Sequence, residues 1–168
     1  MATYKKCSLI TFAHKELLML VLRMNLLFLE SFYGGSHRDF ADGIKKYWFG
    51  NVDLYTLPGR FWKWRVRGAS FEFLQRISKY ELKKYDALLV TSLIGLADLK
   101  SCWGSSCPPV FLYMHECQLN YPLPKGESLD VHFVMNDFSN LIHADRIFFN
   151  SEVHKNSCLD RLSEYMQK

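Results

Sequence analysis

The sequence predicts an open α/β domain of Rossmann type: a parallel sheet with helices on both faces. Three observations carry this. Five short apolar runs alternate with five longer amphipathic stretches, the pattern of strands joined by crossover helices. Every apolar run ends in polar residues, as strands do when their carboxyl ends line a crevice. At 168 residues, 49% hydrophobic and 15% aromatic, the chain suffices for one well-buried core and is short for two domains.

Taken in order, the first strand is Leu26 to Glu30, and it leaves through Gly34-Gly35-Ser36-His37. A helix follows over His37 to Phe49, with Phe40, Ile44, Tyr47 and Trp48 as its apolar face and Ser36 three residues before Asp39 as a capping box. The second strand, Val52 to Leu57, exits through Pro58-Gly59-Arg60, and its helix runs from Gly68 to Lys84. Ala87 to Thr91 is the third strand, with Thr91-Ser92 at its end and a helix over Leu93 to Lys100. The fourth, Val110 to Met114, ends in His115-Glu116 and leads to a helix over Leu129 to Ala144. The fifth, Arg146 to Asn150, ends in Asn150-Ser151 ahead of a last helix, Glu152 to Met166.

Composition narrows the class of function. A net charge of +4 permits contact with a polyanion without arguing for it. Cys7, Cys102, Cys107, Cys117 and Cys158 are odd in number and irregular in spacing, which fits reduced intracellular thiols better than a disulfide framework. No 18-residue uncharged apolar run occurs, so no membrane span is expected. Residues 1–23 read as an extension ahead of a domain spanning 24–168. Their basic balance keeps a mitochondrial leader as the alternative to a cytoplasmic or nuclear location.

Function points to the exits. A helix starting at the Gly34-Gly35 turn would aim free N–H groups and its positive dipole end into the crevice, where glycine leaves the backbone uncovered for a phosphate or sugar hydroxyl. The plainer alternative is that the glycines only close a strand-to-helix turn. There is no Gly-x-Gly-x-x-Gly, no Gly-Lys-Ser/Thr and no Gly-x-Ser-x-Gly, which disfavours a dinucleotide oxidoreductase, a phosphate-loop NTPase and a serine hydrolase.

Two further stretches carry chemistry. In "LPGRFWKWRVR", Leu57 to Arg67, an extended backbone puts Trp62, Trp64 and Val66 on one side and Lys63, Arg65 and Arg67 on the other. Cations holding phosphates beside indoles stacking on bases would bind RNA or a nucleotide; buried tryptophans under a solvated basic face are the competing reading. In "YMHECQLNYP", His115 and Glu116 can serve as a base or hydrogen-bonding pair for sugar hydroxyls, with Gln118 and Asn120 adding amides. Cys102, Cys107, His115 and Cys117 invite zinc, but their spacings match no common structural site.

"LESFYGGSH", "YTLPGRFWKWRVR", "YMHECQLNYP" and "ADRIFFNS", in this order and approximate spacing, resemble the tRNA-queuosine mannosyltransferases, from Met24 to about the last helix. The resemblance implies the N-terminal half of a GT-B glycosyltransferase, in which two Rossmann-like domains face each other across a cleft. It implies transfer of mannose from GDP-mannose to queuosine in a tRNA anticodon, with retention at the anomeric carbon, no required metal and no other cofactor. Carried over residue by residue, it covers Glu30, Gly34, Gly35, Ser36, His37, Gln118, Tyr121, Pro122, Asn150 and Ser151 on the substrate side. It also covers His115 and Glu116 at the reaction centre, and Trp62, Trp64, Arg65 and Arg67, with Lys63 between them, on the RNA side. Position 117 departs from the family, which usually has Asn where this chain has Cys117. The donor-binding second domain is not in these residues, so this chain alone is expected to be inactive. A non-catalytic RNA- or nucleotide-binding module of the same fold is the alternative.

Overall fold

The computed structural model describes residues 24–122, 125–126 and 128–167. The extension expected over residues 1–23 lies outside them. The chain order is β1 (Leu26–Tyr33), α1 (Gly35–Tyr47), β2 (Val52–Pro58), α2 (Trp62–Arg76), a 3-10 turn (Glu81–Lys84) and β3 (Ala87–Thr91). It continues through α3 (Leu96–Trp103), a second 3-10 turn (Gly104–Ser106), β4 (Val110–Met114), α4 (Val131–His143), β5 (Arg146–Phe149) and α5 (Glu152–Met166). The strands form one parallel sheet in the order β2-β1-β3-β4-β5. In a doubly wound sheet of this order the topology reverses between β1 and β3, and the crevice outside their carboxyl ends is where ligands sit.

Side-chain alternation along the strands builds two cores. Leu27, Leu29, Leu88, Val90 and Leu112 face Ala69 and Phe73 of α2, Leu96 and Leu99 of α3, Val134 of α4 and Leu162 of α5. Leu26, Phe28, Ala87 and Leu89 face the opposite way, against Ala41, Phe40 and Ile44 of α1. Central strands β1 and β3 are thereby buried on both faces, which is why their sequences are continuously apolar rather than alternating.

The structure differs from the expectation at five points. β1 runs three residues past Glu30 to Tyr33, its register against β2 shifting between Glu30 and Tyr33, so Glu30 is a buried strand residue and not an exit residue. The capping box does not form: Gly34 is the N-cap with no side-chain cap, and Ser36 is already inside α1. Tyr47 is 69% exposed and leaves the apolar face, which His37 and Ala41 complete instead. The segment Trp62 to Arg67 is helical, not extended. Trp62, Trp64 and Val66 fit a period of two, but Val66, Ala69, Ser70 and Phe73 are the residues buried, a helical stripe that only the core could select. That helix also ends at Arg76, with Glu81–Lys84 a separate turn.

Candidate functional site

At the β1/β3 switch point lies a cavity of about 410 Å³ lined by Phe32, Gly34, Gly35, Ser36, His37, Trp62, Leu93, His115, Glu116, Gln118 and Tyr121. It joins the exits of β1, β3 and β4 with the start of α2. Three features bring these loops together. The Ser31 hydroxyl donates to the Leu93 carbonyl, tying the end of β1 to the β3 exit. The Asn140 amide of α4 donates to the carbonyls of Ser92 and Ile94 at 3.0 and 2.7 Å, while its oxygen accepts from the Leu96 N–H at 2.9 Å. Gly59 lies so close to Gly34 that a Cβ on Gly59 would stand 2.8 Å from the Gly34 Cα.

Beneath the cavity, His37 bridges two carboxylates. Its Nδ1 is 3.2 Å from Glu30 Oε1 and its Nε2 is 3.3 Å from Glu116 Oε2. Glu30 is fully buried, and the same Oε1 accepts from the Phe32 N–H at 2.9 Å and the Thr91 hydroxyl at 3.0 Å. Burial alone would push the His37 imidazole down, but the hydrogen bonds to Glu116 and Glu30 outweigh it and raise it to about 9. His37 is therefore a cation at neutral pH, with one carboxylate in the core and the other at the cavity. His115 stacks on it, ring centroids 3.9 Å apart. Burial, then the charge on His37, push His115 down to about 3, so this second imidazole is neutral. Among the described residues, two polar atoms here have no partner, Glu30 Oε2 and His115 Nε2.

Among the described residues, Glu30, His37 and His115 also offer donor atoms within 4.8 Å of one another, a set that could hold a metal ion. A cation there would compete with the proton that His37 shares with its carboxylates. The zinc set suggested by the sequence does not assemble: Cys102 is exposed, Cys107 half-buried, and Cys117 buried beside Cys158.

The remaining expected residues fall into three places. Gly34, Gly35, Ser36, Gln118 and Tyr121 line the cavity with His115 and Glu116. The Gln118 N–H donates to Asp137 at 2.7 Å, and burial raises that carboxyl to about 8. Asn150 and Ser151 are not among the lining residues: the Asn150 amide donates to the His115 carbonyl at 3.2 Å, and Ser151 caps α5 by accepting from the His154 N–H at 3.1 Å. Cys117, where the sequence was expected to depart from the family pattern, is 1% exposed and part of the core, and it is not among the cavity-lining residues. In the basic segment Trp62 lines the cavity and Trp64 is 75% exposed. Arg65 turns back to Glu72 at 2.8 Å and Arg67 to Asp130 at 2.9 Å, while the Lys63 ammonium lies over the Trp62 ring at 5.7 Å. The single basic face expected of an extended strand is thus divided by the helix. Phe32, Leu93 and Asp137 were not anticipated; only their proximity to strand exits, and for Asp137 not even that, could have flagged them.

A cavity at the switch point of a parallel sheet, floored by a carboxylate-bridged histidine, defines a Rossmann-like domain with a candidate ligand site in its crevice. The family model for the tRNA-queuosine alpha-mannosyltransferase N-terminal region matches residues 25–168, and the chain belongs to that family. It is 30% identical over 145 residues to the tRNA-queuosine alpha-mannosyltransferase of Drosophila melanogaster. That match covers 84% of this chain and 38% of the relative, so the chain spans well under half the length of the protein it resembles. No solved structure matches it. Among the described residues no helix is long and apolar enough to cross a membrane.

Proposed function

We propose that these residues form the acceptor-side domain of a glycosyltransferase that moves mannose from GDP-mannose to queuosine in tRNA. The observation that carries this reading is the Glu30–His37–Glu116 bridge at the switch-point cavity, added to the family match. In the transfer, the bond between the anomeric carbon and the GDP phosphate oxygen breaks with its electron pair leaving on the diphosphate, a bond to an acceptor hydroxyl oxygen forms, and the hydroxyl proton passes to the departing diphosphate. Glu116, 21% exposed at the cavity, is the carboxylate placed to accept a hydrogen bond from a diol hydroxyl. His37 holds Glu116 in position, and the N–H groups at the start of α1 are the groups of this domain that can offset negative charge developing on the departing diphosphate. Retention at the anomeric carbon and independence from metal follow the family resemblance.

The donor would be held mainly by a second domain facing this cavity. The test is incubation with GDP-mannose and queuosine-containing tRNA. Full-length protein should give mannosylated tRNA, and a chain of these 168 residues alone none, because reacting groups gain their rate advantage only when both are held in geometry. Full-length protein that leaves the tRNA unmodified would overturn the reading.

A further inference from the structure

We infer that the turn carrying Arg60, Phe61 and Trp64, at the mouth of the cavity, is a platform on which unpaired bases of an RNA loop stack; this rests on the acceptor reading above. Phe61 and Trp64 are 69% and 75% exposed, while the buried residues of α2 are Val66, Ala69, Ser70 and Phe73. The core therefore does not use these two rings. Phe61 is also the one non-glycine residue with positive φ among those described, at φ 57 and ψ 49 as the N-cap of α2. A left-handed conformation strains an L-residue, and glycine would fit this position without that strain. A large ring is kept there nonetheless.

The surroundings point to a polyanion with π faces. The Arg60 guanidinium lies over the Phe61 ring at 5.8 Å. From Leu57 to Phe71 the sequence has no acid. Arg65 and Arg67 are turned to carboxylates within the domain, whereas Arg60 lies beside the exposed Phe61 ring. That edge is continuous with the cavity: Trp62 lines it, and Gly59 is in contact with Gly34 of the α1 turn. Stacking on aromatic rings with cations beside the backbone is how proteins hold splayed, single-stranded bases, whereas paired bases offer no free face. A base delivered to the cavity from a loop would thus have its neighbours held at the rim.

The experiment compares the full-length protein with its Phe61→Gly and Trp64→Ala variants by fluorescence anisotropy. The probes are an RNA hairpin with a single-stranded loop and the same stem as a blunt duplex. Each substitution is expected to weaken hairpin binding roughly tenfold and to leave duplex binding unchanged. Phe61→Gly should melt no lower than wild type, since glycine relieves the backbone. Wild-type protein that binds the hairpin, with both variants binding it equally well, overturns this inference alone. Wild-type protein that does not prefer the hairpin overturns it together with the acceptor reading. Variants that melt well below wild type yet keep their hairpin affinity show that another part of the protein covers the ridge, and that also overturns it.

Discussion

His37 and His115 stack with ring centroids 3.9 Å apart and planes 27° apart, yet they hold opposite protonation states. The difference lies in their partners. His37 has a carboxylate on each nitrogen, whereas buried His115 Nε2 has no partner among the described residues, so the proton goes to the first ring and repels a second one. A fixed cation between Glu30 and Glu116 results, with a neutral imidazole as its lid.

The first prediction follows from linkage. The folded-state value for His37, about 9, stands above its ordinary 6.5, so its stabilisation is complete below about pH 6.5 and is lost as pH rises through about 9. Its size is on the order of 3 kcal/mol. His115, pushed down to about 3, acts in the other direction and lowers stability as pH falls below 6.5. Urea unfolding of wild type and His37→Gln between pH 6 and 10 tests the sign: the variant should lose the alkaline decline. Parallel profiles would mean that His37 is not the titrating cation.

Gly59 and Gly43 should respond oppositely to alanine. At Gly59 a Cβ would lie 2.8 Å from both the Gly34 Cα and the Tyr33 carbonyl, backbone atoms that cannot rotate aside. Gly59→Ala should cost about 1 to 3 kcal/mol and displace the cavity turn. Gly43 sits inside α1 with nothing within 4 Å of a Cβ, so Gly43→Ala should be neutral or stabilise by up to about 1 kcal/mol. Equal effects at both sites, in chemical denaturation, would refute the close approach.

Asn140→Ala should destabilise by roughly 1 to 3 kcal/mol, because the Leu96 N–H loses its buried acceptor. The Ser92 and Ile94 carbonyls keep a donor in Asn136, at 3.5 and 3.1 Å. Asn140→Asp retains the acceptor for Leu96 but sets a buried carboxylate oxygen against the Ser92 and Ile94 carbonyls, so it should recover part of the loss only at acid pH, where the protonated carboxyl can donate to one of them. An Asp variant as stable at neutral pH as at acid pH would mean that the carbonyl contacts contribute little.

Salt dependence separates the cations of the basic segment. Arg65 is engaged by Glu72, so Arg65→Ala should leave the salt slope of RNA binding nearly unchanged. Arg60→Ala should reduce that slope by about 1, the loss of one phosphate contact. Affinity across a salt series reads both, and a reversed order would mean that Arg65 leaves Glu72 to meet the RNA.

The sheet was legible because its information is local. Central strands buried on both faces must be continuously apolar, as Leu26 to Leu29 and Ala87 to Val90 are, and that leaves little ambiguity in a short window. The convergence of the Gly34-Gly35 and His115-Glu116 exits followed from the same pattern, since strands in one parallel sheet end at one edge. The segment from Trp62 to Arg67 was not decided locally. Its side chains satisfy both a strand and a helix, and contact of Trp62 with Phe133 and burial of Val66, Ala69 and Phe73 settled it as a helix, dividing its basic face. Nor could the sequence join Glu30 to His37 and Glu116, the last 79 positions from His37, into one charge bridge. The sequence by itself determined the alternation of elements and which strand ends are polar, because burial periodicity is written residue by residue. Only the tertiary structure decided which polar groups meet and which histidine carries the proton, because those depend on distances between side chains from different elements of the fold.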